Sequence, residues 1–251
     1  MLEAFVEEAA SLDSFLADLT AEQWLAESAC PGWTVSDVVL HLAQSEEGVV
    51  GSFDRDDPTQ PYLPYVEEVL PGAEAGGAVD TVASAAVAGE RPEDPSEVLD
   101  RWRAAHAAVI ERFSAAPPGR RLAWISVPLS ARTLAATRLS EHWIHGMDIR
   151  EPLGRPAADT DRLGFVARLA WRTLPYAFAQ RGETAPSVSL VLTAPGGGTW
   201  HFGEDGAAVT VEGPAGEWCR VAARRVSPDQ TSLQASGPGS GRVLELARTY
   251  A

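Results

Sequence analysis

Hydrophobic positions through the first part of the chain recur at three- and four-residue steps. Leu2, Phe5, Val6, Ala9, Leu12, Phe15, Leu16 and Leu19 paint one apolar stripe and predict a helix over residues 2 to 19. The stretch CPGWT breaks that pattern. Thr34 with Asp37 three residues later forms a capping-box start for a second helix running to about Val50, with His41 two turns into it. Residues 53 to 95 combine DRDDPTQPYLP, an alanine-rich run and GERPEDP, the composition of a long connection holding at most one short helix. Val98, Trp102, Ala105, Val109 and Phe113 predict a third helix over about 95 to 114, which Pro117, Pro118 and Gly119 end. A fourth begins near Ser130 or Ala131 and runs through TLAATRLSEHWIHGMDIREPLG until Gly154 and Pro156 stop it; a fifth spans about 159 to 181.

Beyond the fifth helix the period changes to two. SVSLVLT alternates, GTWHFG and AAVTVEG follow glycine-rich turns, and TSLQASG supplies a further strand. The glycines at 196 to 198 open a strand rather than a helix, so they read as a hairpin turn and not as a phosphate loop. Two helices, about 214 to 225 and 239 to 250, interleave with the strands. The expected class is therefore α+β, mainly helical: a helical bundle over 1–154 and a small α+β domain over 155–251 led by a connecting helix.

Composition narrows the function. The 251 residues are 45% hydrophobic and 22% charged, ordinary for a globular chain that can bury a core. A formal net charge of −15 argues against nucleic acid and anionic membrane surfaces as partners. No window approaches the about 20 apolar residues that span a bilayer, and the opening MLEAFVEEAA is acidic where a signal peptide is basic, so a cytoplasmic location is expected. Every one of the 20 basic residues is arginine, which removes lysine Schiff-base chemistry. Cys30 and Cys219 lie far apart and form no CxxC; both read as small buried hydrophobes. There is no GxSxG to suggest a serine hydrolase.

Chemistry concentrates in the fourth helix. Glu141 and His145 are four apart, so both project from one face, one turn apart, in a chelating arrangement. The same spacing also makes ordinary surface pairs. His41 is the best third ligand among the remaining histidines, with His106 and His201 in reserve, and His142 points elsewhere on the helix in a structural role. Two imidazoles and one carboxylate suit zinc, and also nickel, cobalt or iron; three protein ligands leave a position open. Asp148, a turn beyond His145, is placed to orient an imidazole from outside the ligand set.

CPGWTVSDVVLHLA, followed about a hundred residues later by RLSEHWIHGMDIREPLGRP, resembles the two signatures of the mycothiol-dependent maleylpyruvate isomerase N-terminal domain of the DinB-like superfamily. The resemblance implies a DinB-like four-helix bundle in which His41, Glu141 and His145 bind a divalent metal, zinc first. The C-terminal part, especially APGGGTWHFG and GPAGEWCRVAARR, resembles an actinobacterial metal-binding subgroup that pairs this bundle with a small α+β domain. By the same resemblance Arg225, at a helix end, would bind an anionic substrate or the thiol cofactor, although Arg224 stands where the family usually has glycine. A helix-end arginine also complements the helix dipole without further role.

Three functions are in contention. The resemblance implies a metal-dependent enzyme that uses mycothiol as a thiolate against a small anionic or electrophilic metabolite. Addition to an activated double bond, rotation and expulsion would give an isomerase, and attack with loss of a leaving group a transferase. A thiol-free Lewis-acid isomerase, cyclase or hydrolase of secondary metabolism is the second, and a non-catalytic metal-stabilised ligand-binding module the third.

Overall fold

The computed structural model describes residues 1–60, 62, 79–92, 94–125 and 127–249. They form two compact units, Met1–Pro156 and Ala157–Ala251, and the class is α+β and mainly helical, as the periodicity predicts.

In the first unit, α1 (Leu2–Ala17) buries Phe5, Ala9, Leu12, Phe15 and Leu16 of the stripe read from the sequence, while Val6 of that stripe is exposed. It ends two residues earlier than its hydrophobic pattern. A one-turn helix, α2 (Ala21–Trp24), follows on a Thr20–Gln23 capping box that the sequence reading missed. The next helix, α3 (Val35–Phe53), starts on the expected box: Thr34 Oγ1 accepts the Asp37 N–H and Asp37 Oδ2 accepts the Thr34 N–H. Among the described residues of the connection lies the helix α4 (Val79–Gly89), and α5 (Pro95–Ala115) is capped by Asp94. A short antiparallel pair, β1 (Arg121–Leu122) with β2 (Leu129–Ser130), leads into α6 (Ala131–Arg150), whose cap is Ser130.

Helices α1, α3, α5 and α6 pack as a four-helix bundle, with α3 against α5 and α1 against α6 as the most extensive contacts. Leu12, Leu16, Val38, Val39, Leu42, Trp102 and Ile149 share its core. Residue α6 Leu134 and everything from Arg138 to Ile149 are buried, polar groups included. Such a helix is held by partners on every face rather than by one apolar stripe.

In the second unit, α7 (Leu163–Ala179) precedes a four-stranded sheet of β3 (Val188–Thr193), β4 (Thr199–Phe202), β5 (Val209–Pro214) and β6 (Gln234–Ser236) in the order β4-β3-β5-β6. Strands β3 and β5 are parallel and the outer pairs antiparallel. The alternation in β3 sends Val188, Leu190 and Leu192 into the core. Glycines 196 to 198 make the β3–β4 hairpin, closed by the Ala194 N–H to Gly198 carbonyl bond at 2.8 Å, with Gly197 at φ 89°. Helix α8 (Ala215–Ala222) buries Trp218, whose indole N–H donates to the Ala167 carbonyl of α7, and α9 (Ser240–Leu246) completes the unit.

Candidate metal centre

Helix periodicity puts Arg138, Glu141, His145 and Asp148 on one face of α6, at steps of three, four and three. The CPGWT turn brings α3 to that face. Its Gly32 takes φ 77°, Trp33 N–H returns to the Cys30 carbonyl at 3.0 Å, and the preceding Ala29 N–H binds the Asp148 carbonyl at 2.8 Å. The turn is thereby tied to the last turns of α6 just before α3 begins. His41 then meets His145 edge to face, ring centres 5.0 Å apart, and Trp33 lies 5.3 Å from the His41 ring on its other contact.

His41 Nε2 lies 3.8 Å from Glu141 Oε2, and His145 Nε2 lies 3.5 Å from the same oxygen. The three side chains present donor atoms within 4.8 Å of one another. These separations are too long for good hydrogen bonds and suit donors arranged about a shared ion, with zinc–ligand distances of about 2.0–2.2 Å. On the far side of the ring, His145 Nδ1 donates to Asp148 Oδ2 at 3.0 Å. That bond turns Nε2 toward Glu141 and His41.

Burial holds His41 below the usual imidazole range, and His145 and Arg138 push the same way against the raising effect of Glu141. Burial by itself would raise the Glu141 carboxyl, but His145, His41 and Arg138 together hold it well below the usual carboxylate range. For His145, burial opposes protonation, yet Asp148, then Cys30 and Glu141, hold it well above its ordinary value. A neutral His41 and an ionised Glu141 are in their ligating forms, and a cation would compete for the proton on His145.

Cys30 departs from its expected role as a small hydrophobe. It is half-buried, its thiol donates to Asp148 Oδ2 at 3.2 Å, and its sulfur lies 3.9 Å from His145 Nδ1. Cys30, His145 and Asp148 thus converge as a second group; because Asp148 and His145 Nδ1 already satisfy each other, this group acts in the support of His145. The physical reason for the difference is the turn, which brings residue 30 back onto α6. Cys219, by contrast, is buried, and burial pushes its thiol up.

Arg138 is buried beside the trio. Its Nη2 lies 3.8 Å from Glu141 Oε1, its guanidinium covers the Trp124 ring at 5.3 Å, and its buried Nη1 has no hydrogen-bond partner. Sequence reasoning passed over it because an arginine on a helix is ordinarily a surface residue.

His142 faces another side of α6. Trp102 Nε1–H donates to its Nε2 at 3.0 Å, so Nδ1 carries the proton and donates to the Arg138 carbonyl at 2.8 Å. His106 stands near Glu46, Nδ1 to Oε2 3.7 Å, and is not brought to the trio; His201 is exposed on β4. Arg225 is exposed just beyond α8, and its Nη1 donates to the Ala223 carbonyl at 2.8 Å. Arg224 itself takes the left-handed φ of 62°, and Arg225 N–H closes back on the Arg220 carbonyl.

Residues 5–150 match the family described as the mycothiol maleylpyruvate isomerase N-terminal domain. Uncharacterized proteins from two strains of Mycobacterium tuberculosis are 32% identical over 248 residues, 97% of this chain and 92% of theirs. The crystal structure of the mycothiol-dependent maleylpyruvate isomerase is similar in fold, with a TM-score of 0.62 at 16% identity over 94% of this chain and 91% of that one. A histidine-to-alanine mutant of the same enzyme aligns with a TM-score of 0.60 at 15% identity over the same shares.

Proposed function

The chain belongs to the mycothiol maleylpyruvate isomerase N-terminal domain family, and from that premise we propose that it is a metal-dependent enzyme using a low-molecular-weight thiol, mycothiol being the expected cofactor, as an isomerase or transferase of a small metabolite. The observation that carries this reading is the convergence of His41 Nε2, Glu141 Oε2 and His145 Nε2, with no fourth protein donor completing the set among the described residues. The proposed ion is zinc. A divalent ion with three protein ligands supplies an open position at which a thiol's pKa falls and an oxygen is polarised.

The residues of the chain prepare that position. Asp148 fixes the His145 tautomer and Cys30 steadies Asp148. Burial keeps His41 neutral, so its Nε2 is available without losing a proton. Glu141 supplies one negative charge against two from the ion, which leaves the centre cationic and receptive to an anionic thiolate. Arg225 is the proposed holder of an anionic group on the substrate or thiol, with Arg225→Ala expected to raise KM.

The test is elemental analysis of protein purified without chelator, with a thiol titration of cobalt-substituted samples. About one equivalent of zinc, lost in His41→Ala, together with a thiol-dependent cobalt spectrum, is the expected result. One equivalent indifferent to thiol moves the reading to thiol-free Lewis-acid chemistry, and wild-type protein without metal overturns it. Asp148→Asn, which keeps size but weakens the orienting acceptor, is expected to lower zinc affinity about 10–100-fold.

A further inference from the structure

Arg138 is the only arginine buried among the described residues. It sits one turn before Glu141 on the ligand face of α6, yet its contacts do not account for its burial. Nε reaches Thr137 Oγ1 only at 3.5 Å, Nη2 stands 3.8 Å from Glu141 Oε1, and Nη1 is buried without a partner. A guanidinium has five donors in a fixed fork, and taking unpaired donors out of water is costly. Trp124 lies under the cation and contributes attraction, but it accepts none of those N–H bonds in their own plane.

Neutralising Glu141 is the simplest use for such a charge, and it does not suffice. The contact is long and one-sided, and the Glu141 carboxylate already faces two imidazoles. Once a divalent ion draws on that carboxylate, Arg138 stands as an additional positive charge at the edge of the centre. In a chain of net charge −15, a buried cation kept beside the ligand trio is a specific expense of stability.

We propose that Arg138 is the carboxylate-binding residue of this centre: it receives a carboxylate of the ligand whose thiol or oxygen occupies the open position, and so selects anionic ligands over neutral ones. The chemistry is that of guanidinium and carboxylate, which match as planar hydrogen-bonding partners and gain strength where water is excluded. This rests on the metal-centre reading given above.

The experiment compares two thiols of similar size, mercaptopropionate and mercaptopropanol, titrated into cobalt-substituted wild type, Arg138→Gln and Arg138→Lys while cobalt–thiolate absorption is followed. Metal content is measured on each sample. Wild type is expected to bind the acid about tenfold or more tightly than the alcohol. In Arg138→Gln the preference disappears while affinity for mercaptopropanol and cobalt content are kept, and Arg138→Lys restores part of it. A wild type without preference, or an Arg138→Gln variant that keeps it, overturns the assignment and leaves the metal reading standing. A wild type that takes up no metal overturns the metal reading, and this assignment with it.

Discussion

The two units bury different things. In Met1–Pro156 the buried set includes Asp37, Glu46, Arg138, Glu141, His142, His145 and Asp148; in Ala157–Ala251 the only buried polar residue among those described is Thr249. The second unit keeps its charged pairs nearer to water, as with Arg220 and Asp159 at 2.7 Å, each about a quarter exposed. Transfer of an ion into a protein interior costs several kcal/mol after relaxation. The first unit carries that cost at seven ionisable groups, four of which, Arg138, Glu141, His145 and Asp148, share one face of α6, whereas the second unit fills its interior with Val188, Leu190, Leu192, Val211 and Trp218.

That contrast breaks if metal binding and packing respond to the wrong mutations. Glu141→Ala is expected to have the largest effect: zinc falls from about one equivalent to none, a loss in affinity exceeding the 10–100-fold typical of supporting residues. One retained equivalent by elemental analysis refutes the assignment. The counterpart in the second unit is Trp218→Ala. It removes a side chain with no exposure and its hydrogen bond to Ala167, and should lower unfolding stability by about 3–5 kcal/mol. Metal stoichiometry of the folded protein should stay the same, because all three proposed ligands belong to the first unit.

Titration sharpens the same contrast. Burial brings His142 down to about 4 from 6.5, and the bond accepted from Trp102 requires the neutral ring. The unfolded chain therefore binds the proton more readily, and stability rises with pH between about 4 and 6.5. The contribution is complete above that window, and its loss on acidification reaches about 3 kcal/mol. His145 has the opposite sign: its raised folded value gives stability that is complete below about 6.5 and fades as pH climbs through the folded value. Zinc bound at the proposed centre would take the place of the His145 proton, so a zinc-loaded sample would isolate the His142 effect. Ring resonances of His142 followed by NMR should move near pH 4, and a midpoint near 6.5 would falsify the buried neutral assignment.

Where local pattern and tertiary demand agreed, the sequence was legible. The Thr34–Asp37 box, the Glu141–His145 step and the two-residue alternation of β3 and β5 each state a local geometry directly. Two-residue strands such as β1 and β2 carry too few positions to show a period, and α2 is a single turn, so both were missed. The end of α1 was read long because an apolar residue after the last turn still packs inward: Leu19 packs on the core although α1 stops at Ala17. Cys30 and Arg138 were out of reach for a different reason. Their roles come from what a turn and a helix face meet in space, and neither residue's spacing announces it.

The smallest expected effect lies at the end of α8, and it separates backbone strain from chemistry. Arg224 holds φ 62°, a region that costs a non-glycine residue about 1–2 kcal/mol. It does so because the Arg225 N–H closes on the Arg220 carbonyl at 3.0 Å, the backbone bond that ends the helix. Its side chain recovers little, through one exposed bond from Nη1 to the Glu245 carbonyl at 3.2 Å. Glycine would relieve the strain and lose about 0.5–1 kcal/mol to its freer unfolded chain, so Arg224→Gly should stabilise the protein by up to about 1 kcal/mol, read from denaturant midpoints. If KM is unchanged in Arg224→Gly but raised in Arg225→Ala, the anion-binding part at this helix end belongs to Arg225 and not to Arg224. A variant that is destabilised by the glycine would show that the Arg224 side chain, and not the turn, holds this end of the helix.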